Sequence, residues 1–313
     1  MKYIILSLNP GFDRWLVVNT PPKLPRVCRA DRALSIVSGK GINVARVFAG
    51  LGFGDYTVLN LEGGEIGRLI AESCLVEGIK LENFPIAGEN RINTTIIKEY
   101  EKDTMTYNEP GPSLSSDEAA GFLSLVKKRL DENPGAALVL SGAAPDGFDM
   151  NIYLELLKYA RESGHGIMAD VGGEWLDATL GGPIELLKIN REEFALGFGF
   201  DGYADTQALG RFMAEREICS VVLTDGSDGS LTLDRDGLVR CTLASGCGGY
   251  WAVGSGDAFY AGYLYALSLE KNTAERMIFA NACGIANTTV YGPCTFEAGA
   301  ARDFEKFVSV SCE

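Results

Sequence analysis

The sequence predicts an α/β protein with a largely parallel central sheet, helices on both of its faces, and a small β appendage. Three observations carry this. Short continuous apolar runs such as Tyr3–Leu8, Ala136–Leu140 and Ile167–Asp170 have the composition of strands buried on both faces. Segments of helical period stand between such runs, the alternation that a parallel sheet requires. Two stretches near 14–37 and 93–108 break that rhythm with hairpin-forming pieces around a Pro-rich and a charged turn.

Each element follows from local chemistry. Tyr3–Leu8 is a strand that stops at the turn signal Asn9-Pro10-Gly11. Arg14–Val18 and Ala33–Val37 are extended. Ile42, Val44, Ala45, Val47, Phe48 and Leu51 follow helical spacing, and Gly52 supplies the stop. Tyr56–Leu61 is a strand, Glu65–Val76 a helix ending at Gly78, and Asn93–Tyr100 with Thr104–Asn108 a hairpin. Ser115 or Ser116 caps a helix running to Leu130. Then come strand Ala136–Leu140, helix Asn151–Arg161, and strands Ile167–Asp170 and Ile184–Ile189. Helices Arg191–Leu196 and Thr206–Glu215, strand Ser220–Thr224, a hairpin around Asp234–Gly237 and two C-terminal helices complete the chain.

Composition narrows the function. A chain of 313 residues holds one large domain or two modest ones, and 46% apolar with 22% charged residues excludes wholesale disorder. No apolar run reaches the roughly 20 residues of a transmembrane helix, and the N-terminus lacks a signal-peptide pattern. The expectation is a cytoplasmic protein. Eight cysteines form no C-x-x-C pair and there is one histidine, so reduced thiols are expected rather than a Cys/His zinc site. His165, in Ser163-Gly164-His165-Gly166, reads as a solvated turn residue, and the mechanism must manage without histidine. The net charge of −14 argues against nucleic acid and anionic membranes as partners. Residues 1–50, Arg26 among them, nevertheless carry +6, which leaves −20 on the other 263. That basic region suits a small anion, or is chance clustering on a solvated face.

Four motifs can carry chemistry. Ser38-Gly39-Lys40-Gly41-Ile42-Asn43 leads into a helix whose N-terminus favours anions, although a tight loop alone would also read this way. It is neither a Walker A loop nor a dinucleotide fingerprint. Val253-Gly254-Ser255-Gly256-Asp257 opens the helix Ala258–Leu269. Three small residues there would leave their N–H groups free for developing negative charge. Asp257 is then either an ordinary cap or a base beside a bound phosphate, and the preceding Gly-Ser-Gly, which a cap does not need, favours the base. Asn190 and Glu193, three apart, are a cap with a solvated acid or a pair that holds hydrated Mg²⁺. Thr224-Asp225-Gly226-Ser227-Asp228-Gly229 is a Gly-rich turn whose backbone would contact phosphate or ribose.

In this order the motifs resemble the PfkB (ribokinase-like) carbohydrate kinase family over nearly the whole chain. The carrying segments are Leu8-Asn9-Pro10-Gly11-Phe12-Asp13, Gly39-Lys40-Gly41-Ile42-Asn43-Val44-Ala45, Arg91-Ile92-Asn93, Ser141-Gly142, Lys188-Ile189-Asn190-x-x-Glu193, Thr224-x-Gly226-x-x-Gly229 and Val253-Gly254-Ser255-Gly256-Asp257. They look like the hexose-phosphate branch, which contains 1-phosphofructokinase and tagatose-6-phosphate kinase. Tyr250-Trp251 depart from the Asp-Thr or Asn-Pro of many members, at the nucleotide entrance and monovalent-cation position. Ala143-Ala144 replace the common Ser-Leu, and Ile189 replaces Pro.

The resemblance implies a three-layer ribokinase-like core, residues 1–12, 38–90 and 110–313, with a β-sheet lid, residues 13–37 and 91–109, often shared across a homodimer. ATP and Mg²⁺ would serve a ketohexose phosphate, tagatose 6-phosphate or fructose 1-phosphate. Asp13 and Asn43 would bind sugar hydroxyls. Lys40 and Arg91 would hold the substrate's own phosphate, with Gly39, Ser141 and Arg29 nearby. Asp257 would be the base and Gly254, Ser255 and Gly256 the anion hole. Asn190, Thr224, Gly226, Gly229 and Asn281 would contact nucleotide, and Glu193 the metal through water. A kinase for an unphosphorylated sugar or nucleoside, and a non-catalytic regulator with this fold, are the rivals; a dinucleotide oxidoreductase lacks its fingerprint.

Overall fold

In the computed structural model, residues 1–23, 27–145 and 147–313 are described; Arg26 of the basic segment lies outside them. The chain begins β1 (Tyr3–Ser7), β2 (Gly11–Val18), β3 (Arg32–Ser38), α1 (Lys40–Gly50), β4 (Tyr56–Gly63) and α2 (Gly64–Val76). β5 (Leu81–Ile86), β6 (Arg91–Lys98), β7 (Asp103–Asn108), α3 (Ser116–Asp131), β8 (Ala137–Ser141) and α4 (Met150–Glu162) follow. Next come β9 (Ile167–Asp170), α5 (Glu174–Thr179), β10 (Leu186–Asn190), α6 (Arg191–Phe198), α7 (Thr206–Glu215) and β11 (Val221–Thr224). The chain closes with β12 (Ser230–Asp234), β13 (Gly237–Leu243), α8 (Ser255–Ser268), α9 (Thr273–Asn287), α10 (Ala298–Phe304) and β14 (Val308–Cys312).

Ten strands form the central sheet in the order β14-β13-β12-β11-β10-β9-β8-β1-β4-β5. From β11 to β5 neighbouring strands are parallel, while β12, β13 and β14 are added antiparallel. The connections leave β1 in both directions, towards β4 and towards β8. The sheet therefore has a switch point there, and a crevice opens outside the strand C-termini. Successive residues of β1 serve opposite faces. Ile4 and Leu6 join a core with α3 to α7, while Tyr3 and Ile5 join one with α1, α2 and α8 to α10.

Helix starts follow the capping signals where these exist. Ser115 with Glu118 and Asn272 with Glu275 form capping boxes on α3 and α9. α1 differs: it has no side-chain cap and no acidic residue in its first turn. It is held by proximity instead, because a Cβ on Gly41 would lie 2.6 Å from the Leu6 carbonyl oxygen.

A second, four-stranded sheet in the order β3-β2-β6-β7 stands apart from the first, as the interrupted rhythm predicted. Trp15, Val17 and Ile97 form its own small core, against which Trp251 and Tyr291 of the main body pack. β5, α5 and β14 were not anticipated. β5 carries Pro85 and lies at a sheet edge, where the missing N–H costs no ladder bond. His165 corrects the expectation of a solvated turn residue. It is buried, and its Nδ1 meets the Ala136 carbonyl at 2.8 Å. Every described cysteine is a free thiol, and no described helix is long and apolar enough to cross a membrane.

Phe48 anchors α1 through a fully buried aromatic group, with ring centroids 5.6 Å from Tyr3, 5.0 Å from Phe53 and 5.5 Å from Tyr56. Phe48→Ala is expected to cost about 3–5 kcal/mol, read as a lowered urea midpoint.

Candidate active site

The crevice collects side chains from strand ends far apart in sequence. At its centre is Asp170, the buried last residue of β9. Its carboxylate lies 3.5 Å from Lys40 Nζ and 3.3 Å from Lys188 Nζ. Burial pushes this carboxyl up, but the ammonium groups of Lys188 and Lys40 outweigh that and hold it below the usual range. Asp170 in turn raises the Lys40 pKa and keeps that lysine charged at the N-terminus of α1. Lys188 is 5% exposed, and its Nζ lies 3.0 Å from where a Cβ on Gly256 would sit. Neither Asp170 nor Lys188 was assigned a role from sequence. The available signal was a charge at the end of an apolar strand run, which burial forces into a partnership.

Asp257 lies buried in the first turn of α8, and its Oδ2 accepts from Asn43 Nδ2 at 2.7 Å. Asn43 Oδ1 accepts from Arg46, which also binds Glu77 and the Pro293 carbonyl. Asn43 is thus held between the base candidate and Arg46, an arginine to which sequence reading gave no role. Burial pushes the Asp257 carboxyl up, and Lys40 and the Asn43 bond oppose it. The turn before it corrects one expectation. The Ser255 N–H is not free but donates to the Ala252 carbonyl at 3.0 Å. Gly256 and Asp257 remain as first-turn donors with no backbone acceptor.

Where the small sheet meets the crevice, Asp13 accepts from Ser38 and, at 2.8 Å, from Asn93. Arg91 donates to the Asn9 carbonyl at 3.2 Å, and burial lowers its pKa against the opposing charge of Asp13. Asn9 Oδ1, Arg91 Nε, Asn93 Oδ1 and Ser141 Oγ are buried without a partner. Gly142, the residue after Ser141, packs on the Lys40 stem, and Gly39 precedes that lysine as the α1 N-cap. Arg29 is exposed on the crossing between β2 and β3, and no described contact ties it to this cluster.

On the other side of Gly256, a cavity of about 790 Å³ is lined by Thr224, Gly226, Gly229, Ser255, Gly256 and Asn281. Residues from two separate motifs, together with Asn281 of α9, thus share one hollow. Asn281 gives its amide to Ser230 and Met277, both at 2.7 Å. Asn190 caps α6 by accepting from the Glu193 N–H at 2.9 Å, and the Glu193 carboxylate is exposed. Tyr250 also lines the cavity, and its hydroxyl lies 2.8 Å from Lys102 of the small sheet.

Such a crevice, with a buried carboxylate, ammonium groups and open helix N-termini at a parallel-sheet switch point, is that of an α/β enzyme that handles small anions. Solved structures share the fold. Phosphofructokinase-2 from Escherichia coli in complex with fructose-6-phosphate is 22% identical over 98% of each chain, with a TM-score of 0.86. A possible 1-phosphofructokinase from Thermotoga maritima is 23% identical over 100% of each chain, at 0.84. Arabidopsis thaliana ribokinase complexed with ribose and ATP is 19% identical over 98% of this chain and 99% of its own, at 0.70. The sequence pattern of the pfkB family carbohydrate kinases matches residues 22–298, and the chain belongs to that family. It is a phosphotransferase with an alcohol group as acceptor.

Because burial raises the Asp257 pKa, the ionised carboxylate destabilises the native state once the pH exceeds the folded value; below the unfolded value near ~3.9 that penalty is absent. Asp257→Asn is therefore expected to raise the melting temperature at pH 7, with the gain fading as the pH falls towards 4. Differential scanning calorimetry across that range checks it.

Proposed function

We propose that the protein transfers the γ-phosphoryl group of ATP to a hydroxyl of a ketohexose phosphate, tagatose 6-phosphate or fructose 1-phosphate. The observation that carries this reading is the half-buried Arg91 guanidinium, whose Nε faces inward. Its Nε has no partner, and neither do Asn9 Oδ1 and Asn93 Oδ1 beside it. A half-buried cation with one buried donor unmet is costly to keep against a neutral sugar. A substrate phosphate meets it with charge-assisted bonds.

Arg91 and Lys40 hold that phosphate, with Gly39, Ser141 and Arg29 around it, while Asp13 and Asn43 align sugar hydroxyls. Asp257 takes the proton of the attacking hydroxyl, and its raised pKa makes it a better acceptor than an exposed carboxylate. The Gly254–Gly256 turn and Lys188 face the transferring group, and Thr224, Gly226, Gly229, Asn190 and Asn281 face the nucleotide. The Arabidopsis neighbour's ATP and the E. coli neighbour's fructose-6-phosphate support this division.

Glu193, exposed at the start of α6, would contact Mg²⁺ through water, since that ion keeps several of its waters. Bound there, Mg²⁺ would supply positive charge against the negative charge of the phosphoryl groups. The small sheet, residues 13–37 and 91–109, acts as the lid. Its edge strands β3 and β7, with Met105 and Tyr107 exposed, meet a second copy in a homodimer.

ATP consumption over a panel of sugar phosphates and plain sugars tests the reading. Asp257→Asn is expected to lower kcat roughly 100- to 10,000-fold, and near-wild-type kcat in folded protein refutes the base. Arg91→Ala should weaken sugar-phosphate binding about 10- to 150-fold and leave ATP binding nearly unchanged. Paired titrations with phosphorylated and unphosphorylated sugar check this. Equal losses for both favour the plain sugar kinase, and absent turnover across the panel favours the regulator.

A further inference from the structure

α9 ends on a side chain that the proposed chemistry leaves unused. Asn287 is 0% exposed. Its Nδ2 donates to the Val253 carbonyl at 2.9 Å and to the Ser255 hydroxyl at 3.0 Å. Its Oδ1 accepts from the Cys294 N–H at 2.7 Å. One amide therefore grips both neighbours of Gly254 and the segment packed against it.

That grip falls where the backbone most needs holding. Gly254 has φ +86°, and a Cβ on it would lie 2.5 Å from Pro293 Cβ. Cys294, a non-glycine residue, sits at φ +59°. Two left-handed segments are thus pressed together at the entry to α8. A glycine-flanked turn has more freedom to lose than any other, yet donors to a transferring group help only when fixed beforehand. Both oxygens that Asn287 engages are negative ends of dipoles. Drawn to the α9 side, they leave the mouth of the turn to the N–H groups of Gly256 and Asp257.

We propose that Asn287 is a positioning residue for phosphoryl transfer, fixing the 253–256 turn so that those N–H groups meet the transferring phosphoryl. It touches no substrate. The inference rests on reading residues 254–256 as the pocket for that group. It predicts a defect confined to the transition state.

The test compares wild type, Asn287→Ala, Asn287→Asp and Gly256→Ala. The readouts are kcat, KM for ATP, melting temperature, and ADP affinity with and without aluminium fluoride, whose complex with ADP mimics the transferring phosphoryl. Asn287→Ala should lower kcat about 10- to 100-fold. KM for ATP and ADP affinity should stay within about 2-fold, and aluminium fluoride should no longer tighten ADP. Asn287→Asp keeps the acceptor for Cys294 and loses the paired donors, so its kcat should fall at least as far. Asn287→Ser, which retains one donor, supplies an intermediate value if the alanine variant does not accumulate folded. Unchanged kcat per folded enzyme, an aspartate variant restored to wild type, or ADP affinity falling in step with kcat overturns the proposal. Gly256→Ala with wild-type kcat overturns the pocket reading beneath it. Loss in Gly256→Ala alone leaves the pocket standing and removes only the role of Asn287.

Discussion

The crevice depends on one buried carboxylate. Asp170 lies between Lys40 and Lys188 and allows two ammonium groups to share one carboxylate beneath the α8 N-terminus. Without it, two cations and a helix's positive end would repel one another in a medium that screens poorly. With it, Lys40 remains charged, and an arriving anion meets a field already assembled. Removing Asp170 would leave uncompensated charge, which is more harmful than replacing the whole cluster with apolar residues. A buried ion pair of this kind adds little net stability over apolar packing.

Other features point the same way. α1 starts with a lysine where an acid would be more stabilising, has no side-chain cap, and presses Gly41 onto the Leu6 carbonyl. Asp257 is kept in a place that disfavours its charge, tied to Asn43 and, through it, to Arg46. The surrounding cores, packed on both faces of the sheet, make these local penalties bearable. Stability is concentrated in the layers, and strain at the strand ends.

Much of this was legible in the sequence because backbone chemistry announces itself locally. Apolar runs gave the strands, Ser115 or Ser116 the start of α3, and Gly-x-Gly-Asp the α8 entry. What stayed hidden was partnership across the sheet. Asp170 and Lys188 look like ordinary strand ends until parallel register sets β9 beside β10. Arg46 is only one charge of the basic N-terminal region in the sequence, but its guanidinium is spent on Glu77, Asn43 and Pro293. The turn around His165 was foreseen and its burial was not, because the carbonyl that satisfies the ring belongs to Ala136. β14 escaped because an alternating five-residue edge strand is too short to distinguish from a tail.

The bond between Asn43 and Asp257 closes a loop of 214 residues, and Lys40 meets Asp170 across 130. Long loops of this kind close late, since chain entropy must be lost before any contact compensates for it. With Asp257 as the proposed base, a nascent chain still short of α8 carries Lys40, Arg91 and Asp170 but not that acceptor for the hydroxyl proton. On that proposal it cannot turn over ATP before α8 is made. During refolding, recovery of turnover should trail recovery of helical signal, making enzymatic activity itself a clock for the last docking of α8 onto α1.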